Sequence, residues 1–187
     1  MDVRPRILEE IRNGFPPWGR GLGADHVLPL DVFSAIGGSA LIGGAEAANF
    51  NGIPPTFVPG RNIFFLIAAA ALAFGRGIRN LVGGMCETDY SGYPDCRDET
   101  IKATARALDL GMETKFTIHT PLMHIDKRAT WALAESLGGR EFVDLIIEHT
   151  VTCYEGNHTV RHGWGYGCGV CAACTLRARG HERYVAQ

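Results

Sequence analysis

Three cysteines at two-residue gaps, Cys168, Cys171 and Cys174, with Cys153 upstream, constrain the end of this chain more than any other feature. Thiolates so spaced converge on one ion, and four of them complete a tetrahedral zinc shell. Gly165, Gly167 and Gly169 permit the tight backbone turns that such a knuckle needs. A four-cysteine shell keeps no open coordination position, so the Zn2+ it would hold is structural and not catalytic. Two other readings stay open on spacing alone. An iron–sulfur cluster also uses two-residue gaps, although the cysteine and proline of the bacterial ferredoxin run do not follow Cys174. The plain alternative is a set of buried thiols without metal, and His158 or His162 could stand in for one cysteine.

Composition decides how the six cysteines are read. In 187 residues, 46% are hydrophobic and 20% charged, so the chain can build a core without a disulfide framework. Cytoplasmic thiols are the expectation. Met1 leads into Asp2, Arg4 and Arg6 with no apolar stretch of the signal-peptide kind. The longest apolar run, Ile63 to Phe74, is too short to span a bilayer and reads as a buried helix. A net charge of −2 argues against a nucleic-acid binder held by bulk electrostatics.

Before the cysteines, helical and strand signals alternate. Val3, Ile7, Leu8 and Ile11 recur at helical spacing, so residues 3–13 read as an amphipathic helix stopped by Pro16 and Pro17. His26–Leu30 reads as a short strand, and 34–56 as a long loop with room for one short helix. Further helices are expected over 62–76, 99–110, 127–137 and 141–149. Asp98 and Asp126 are the expected caps for the second and third of these. The apolar runs 80–85 and 116–119 read as strands. This alternation predicts an α/β fold, a parallel sheet with helices on both faces. Residues 1–150 would form that domain and 151–187 a zinc-binding segment packed on it.

Ligands of parallel sheets bind beyond the carboxyl ends of the strands. Here that rule points to the loop Glu87–Arg97 and to the stretch from Thr120 to Lys127. The first packs five carboxylates, counted to Glu99, around Tyr90, Tyr93 and Arg97. Tyrosines can stack on a flat ring, Asp89 and Asp95 can accept its N–H groups, and Arg97 can pair with a carboxylate by two bonds. A solvated turn explains the same residues. Arg61 and Asn62 open the most apolar helix, and Lys127 opens another; both are candidate anion sites, though a capped helix or a surface lysine would read the same way.

The segments FVPGRN (57–62), GGMCETDYSGYPDCRDETIKA (83–103), HTPLM followed by Asp126 and Lys127, TCYEGN (152–157) and GYGCGVCAACTLRARG (165–180) together resemble the 7-cyano-7-deazaguanine synthase family of the queuosine pathway. The resemblance implies a PP-loop, adenine-nucleotide alpha-hydrolase-like fold. It implies a ligase that uses ATP with Mg2+ to turn 7-carboxy-7-deazaguanine and ammonia into a nitrile. It makes Cys153, Cys168, Cys171 and Cys174 the zinc ligands. It places the substrate ring at the acidic loop, with Asp89, Tyr90, Tyr93, Asp95 and Arg97 as binding residues. Arg61, Asn62 and Lys127 would lie near the ATP phosphates or the activated carboxylate, with Arg61 and Lys127 in catalytic roles. A homodimer is plausible by the same resemblance.

One family motif has no counterpart. The phosphate-binding loop S-G-G-x-D-S is absent; Gly37-Gly38-Ser39 and Gly43-Gly44 lack its Asp-Ser ending. The expectation is therefore a chain lacking an opening strand–loop–helix unit, with weak or no ligase activity. The competing expectation is a zinc-knuckle module that binds a purine or RNA through Arg177, Arg179 and Arg183 without catalysis.

Overall fold

The computed structural model describes residues 2–29, 31–36, 39, 41, 52–88 and 92–186. Pro5 stands at the start of α1 (Arg4–Gly14), where its missing N–H leaves no helical bond unmade. Pro16 ends that helix but opens another, the single turn α2 (Pro16–Gly19). The strand expected at His26–Leu30 does not form over 26–29, and Leu30 lies outside the described residues. Pro29 has no N–H for a ladder, which argues against pairing there. The short helix α3 (Val32–Ile36) begins just before the segment expected to be a long loop.

Next come α4 (Arg61–Gly75), β1 (Asn80–Val82), a 3-10 turn at Pro94–Cys96, α5 (Asp98–Gly111) and β2 (Thr117–His119). Asp98 does not cap α5. It lies in the first turn, where its amide donates to Glu87 Oε2 at 3.0 Å. The cap thus arrives from the far end of the acidic loop. Asp126 does cap α6 (Lys127–His149), accepting from the Ala129 amide at 2.8 Å. The two helices expected on either side of Gly138 and Gly139 both form within this span, separated by a kink at Gly139, whose φ of 67° and ψ of −170° are not helical. A hairpin follows, β3 (Arg161–His162) against β4 (Gly165–Tyr166), and then α7 (Ala172–Val185), which no sequence pattern announced.

The chain divides into two compact units, Leu28–Ile125 and Met1–Val27 with Asp126–Gln187. The boundary expected near residue 150 falls inside the second of these. In Leu28–Ile125, β1 and β2 pair in parallel, with Leu81 opposite Ile118. Those two side chains pack on clusters supplied by α4 and α5, built on Ala70, Ala73, Leu108 and Phe116 and on Leu66, Ile101 and Met123. Their neighbours Asn80, Val82, Thr117 and His119 are exposed. Helices therefore cover one face of this pair; the second covered face is not seen among the described residues. The apolar helix α4 is also less buried than its composition implies. It buries a stripe of Asn62, Leu66, Ala70 and Ala73, while Phe64, Phe65, Ile67 and Phe74 are exposed.

In the other unit, α6 and α7 share a core of Trp131, Ala134, Val143, Ile147 and Tyr184. Phe15 stacks on Trp18 at 4.8 Å, and Phe142 of α6 meets both rings edge-on. Gly180 brings α7 against the start of α6: a Cβ there would lie 2.4 Å from Lys127 Cβ and 3.0 Å from its carbonyl carbon. Among the described residues no helix is long and apolar enough to cross a membrane.

Gly180→Ala tests this contact. Alanine favours a helix over glycine by about 1 kcal/mol, but the overlap with the Lys127 backbone should reverse the sign. We expect net destabilisation of about 1–3 kcal/mol in urea unfolding; an unchanged or higher midpoint would contradict the close approach.

Candidate functional site

The four cysteines separated along the chain meet in space. Their sulfurs all lie within 4.8 Å of one another, and Cys168 Sγ is 3.9 Å from Cys174 Sγ. Edges of about 3.8 Å are what a tetrahedron with zinc–sulfur bonds of about 2.3 Å requires. The cysteines' own amides point at neighbouring sulfurs: Cys168 N to Cys153 at 3.4 Å, Cys171 N to Cys168 at 3.3 Å and Cys174 N to Cys171 at 3.5 Å. The last is also the N-cap of α7, so the metal-site turn and the helix start are one device. Burial raises the Cys153 thiol, yet amides of Cys168, Asn157 and Glu155 outweigh it and bring it down to about 6. Cys171 is likewise lowered by amides against its burial, whereas burial pushes Cys174 up to about 12. Four cysteine sulfurs at this spacing form a set that could hold one metal ion, and binding it would deprotonate the thiols.

Gly167 completes the turn, since a Cβ there would stand 2.6 Å from Cys174 Sγ. Neither histidine considered as a stand-in ligand belongs to the set. His162 stacks on Trp164 at 4.5 Å and its Nε2 bonds the Gly167 carbonyl, while His158 stacks on Tyr166 at 4.4 Å. The three arginines that suggested RNA binding do not form one surface set: Arg177 is buried, while Arg179 and Arg183 are exposed and Arg183 pairs with Asp126 at 3.2 Å.

A separate cavity of about 480 Å³ lies in Leu28–Ile125, beyond the carboxyl end of β1. Arg61, Phe65, Leu66, Met85, Tyr93 and Cys96 are among its walls. Gly60, left-handed at φ 71°, starts α4 without a side-chain cap. The buried Asp95 supplies one instead, its Oδ2 accepting from the Asn62 amide at 2.9 Å. Asn62 Nδ2 in turn donates to Cys96 Sγ at 3.2 Å. The helix N-terminus expected to offer this amide to an anion has therefore already spent it on Asp95. Arg61 differs. Its Nε is buried and has no hydrogen-bond partner among the described residues, and its guanidinium carbon lies 6.0 Å from the Phe65 ring centroid.

Tyr93 is buried with its hydroxyl bonded to Thr56 Oγ1 and its ring tilted against Phe57. Arg97 is exposed and serves as the N-cap position of α5. Asp89 and Tyr90 lie outside the described residues. Lys127 sits in the first turn of α6, in the other unit. Arg61, Asn62, Tyr93 and Asp95 are thus brought together. Glu87 and Thr88 shape the loop in ways the spacing did not reveal: Glu87 caps α5 and meets His124 at 3.3 Å, and Thr88 donates to the Ile125 carbonyl at 2.7 Å. His119 and His149 have partners too, Asn80 and Glu10, as structural histidines do.

Comparison with known proteins adds independent findings. A family model described as queuosine biosynthesis protein QueC matches residues 19–185. A 7-cyano-7-deazaguanine synthase of Methylorubrum extorquens strain PA1 is 62% identical over all 187 residues, which span 77% of that relative. Synthases of the same description from Polaromonas sp. strain JS666 and Bordetella pertussis strain Tohama I are 57% and 54% identical over the whole chain, covering 80% and 77% of their lengths.

The cavity thiol offers a test that needs no ligand. Burial and then the Asp95 charge hold Cys96 up at about 11, against the opposing influence of Arg61 and Asn62. The thiolate is the reactive form, so at pH 8 only ~0.1% of Cys96 can react. Peptide mapping after iodoacetamide should show alkylation at least about tenfold slower than in an unstructured cysteine peptide, accelerating as pH rises toward 11. Equal rates at pH 8 would contradict this environment.

Proposed function

This chain belongs to the QueC family of queuosine biosynthesis, a family of carbon–nitrogen ligases, and we propose that its cavity beyond β1 binds the deazaguanine acid on which such a ligase acts. The single observation that carries the reading is Arg61. A buried guanidinium nitrogen with no protein acceptor among the described residues, on the wall of a largely apolar cavity, calls for an anionic ligand with a flat apolar body. The carboxylate of 7-carboxy-7-deazaguanine meets the cation, and its fused ring lies between Phe65, Leu66 and Tyr93. The cavity volume sits within the range of about 300–1,000 Å³ usual for small-molecule clefts.

The chemistry follows from the poor electrophilicity of a carboxylate, whose charge repels a nucleophile. ATP, bound with Mg2+, converts one carboxylate oxygen into a phosphate-type leaving group. Ammonia attacks the carbon, that oxygen departs, and an amide forms after proton loss. A second activation of the amide oxygen, followed by its departure and loss of the remaining N–H protons, gives the nitrile. Arg61 is the cation assigned to the activated carboxylate. Asp95 and Asn62 act one step back, holding the start of α4 and hence Arg61. Asp89, Tyr90 and Arg97 are assigned to the heterocycle's edge.

The cysteine set holds one structural Zn2+, through Cys153, Cys168, Cys171 and Cys174. Sulfurs this close favour a single ion over an iron–sulfur cluster, whose thiolates sit on different irons and spread farther apart. The ion supplies folding free energy and takes no part in bond making. Because S-G-G-x-D-S does not occur in these 187 residues, the proposal predicts slow or no nitrile formation from them alone, and binding is the sharper test.

Calorimetric titration with 7-carboxy-7-deazaguanine should show saturable binding, weakened about 10-fold or more by Arg61→Ala, in keeping with a charged hydrogen bond of about 1.5–3 kcal/mol. Binding that is unchanged in that variant, or absent from the parent, would refute the assignment.

A further inference from the structure

Arg177 is buried on α7, one turn after Cys174 and on the same helix face. Four of its five N–H donors are used, and they go to three different segments. Nε donates to the Trp164 carbonyl at 2.9 Å, in the turn between β3 and β4 that leads to Cys168. Nη1 donates to Thr150 Oγ1 at 2.8 Å and Thr152 Oγ1 at 2.7 Å, in the stretch that leads to Cys153. Nη2 donates to the Ile146 carbonyl at 3.0 Å, in the last turn of α6. The guanidinium carbon lies 5.4 Å from the Trp131 ring centroid. Gly165 leaves room for the group: a Cβ there would stand 2.9 Å from Arg177 Nη2, and its φ of 119° excludes most side chains in any case.

We propose that Arg177 is the positioning residue of the four-cysteine metal centre, its planar fork fixing the segments that deliver Cys153 and Cys168 against the helix that carries Cys174. This rests on the reading of the four cysteines as one metal site. Each ligand-bearing segment is short and has little apolar core of its own; the buried cluster there consists of Cys153, Trp164 and Cys174. A group that ties all three together sets where the sulfurs stand before any ion arrives. Charge serves the same end. Among the described residues no carboxylate pairs with Arg177, and a buried cation without a counter-charge is costly. Four thiolates around one dication carry two net negative charges beside it. Burial draws the guanidinium down to about 10, and the neighbouring Cys174 opposes that fall.

The test measures zinc release to a chromogenic chelator, with cobalt(II) substitution as a spectroscopic check, on the parent chain, Arg177→Lys, Arg177→Gln and Thr152→Val. The parent should hold one zinc per chain; a parent without zinc overturns the metal reading itself and the proposal with it. Both Arg177 variants should release zinc about 10-fold faster or more, as loss of an outer-shell partner does elsewhere. Lysine should not rescue, because a point charge cannot reach four acceptors in a plane. Thr152→Val, which removes one acceptor and keeps the volume, should release about threefold faster and remains informative if the Arg177 variants fail to fold. The cobalt ligand-field bands of Arg177→Lys should shift from those of the parent. A parent that holds zinc, with variants of lower thermal stability but unchanged release and unchanged cobalt bands, overturns the proposal alone.

Discussion

Four sulfurs held within 4.8 Å of each other are an arrangement that thiols do not keep by themselves. Amides pull Cys153 and Cys171 toward the thiolate, while burial drives Cys174 the other way. A central cation, as proposed for this set, would resolve that conflict. The hairpin β3–β4 and the start of α7 are arranged around the set, and their buried apolar content is slight, so an ion bound there would stand where a larger domain places a hydrophobic core. The glycines follow from the same constraint: Gly165 and Gly167 lie where any side chain would strike Arg177 or Cys174.

The other unit is organised by a buried carboxylate. Asp95 takes the Asn62 amide at the start of α4, satisfies part of the helix dipole there, and leaves Arg61 on the cavity wall with a buried Nε that has no partner among the described residues. The acidic loop is thus two things at once. One end, Glu87, caps α5; the other, Asp95, caps α4 from across the chain. Carboxylates that looked like a ligand-binding cluster partly serve to hold two helix starts, and Arg61, the first residue of α4, lines the cavity.

The sequence was most readable where apolar spacing and capping chemistry agreed. Asp126 caps the helix it was expected to cap, and β1 and β2 fall within the runs expected to be strands, although β1 stops at Val82 where the run 80–85 continues. The cysteine set was readable because thiol spacing is itself a geometric statement. α7 was not readable, and the reason is physical: the residues it buries are Ala173, Cys174, Arg177, Gly180, His181 and Tyr184, a proper helical stripe with scarcely an aliphatic side chain in it. Hydrophobic periodicity cannot detect a face made of sulfur, guanidinium and imidazole. α4 failed in the opposite direction, since uniform apolarity concealed which stripe would be covered. Asp98 lost its expected cap role to Glu87, eleven positions away, a contact that local sequence does not encode.

Zinc-edge X-ray absorption on the purified chain should show one zinc with four sulfur neighbours at about 2.3 Å and no light-atom ligand. A shell containing nitrogen or oxygen, or a chain that carries no zinc, would contradict the zinc reading.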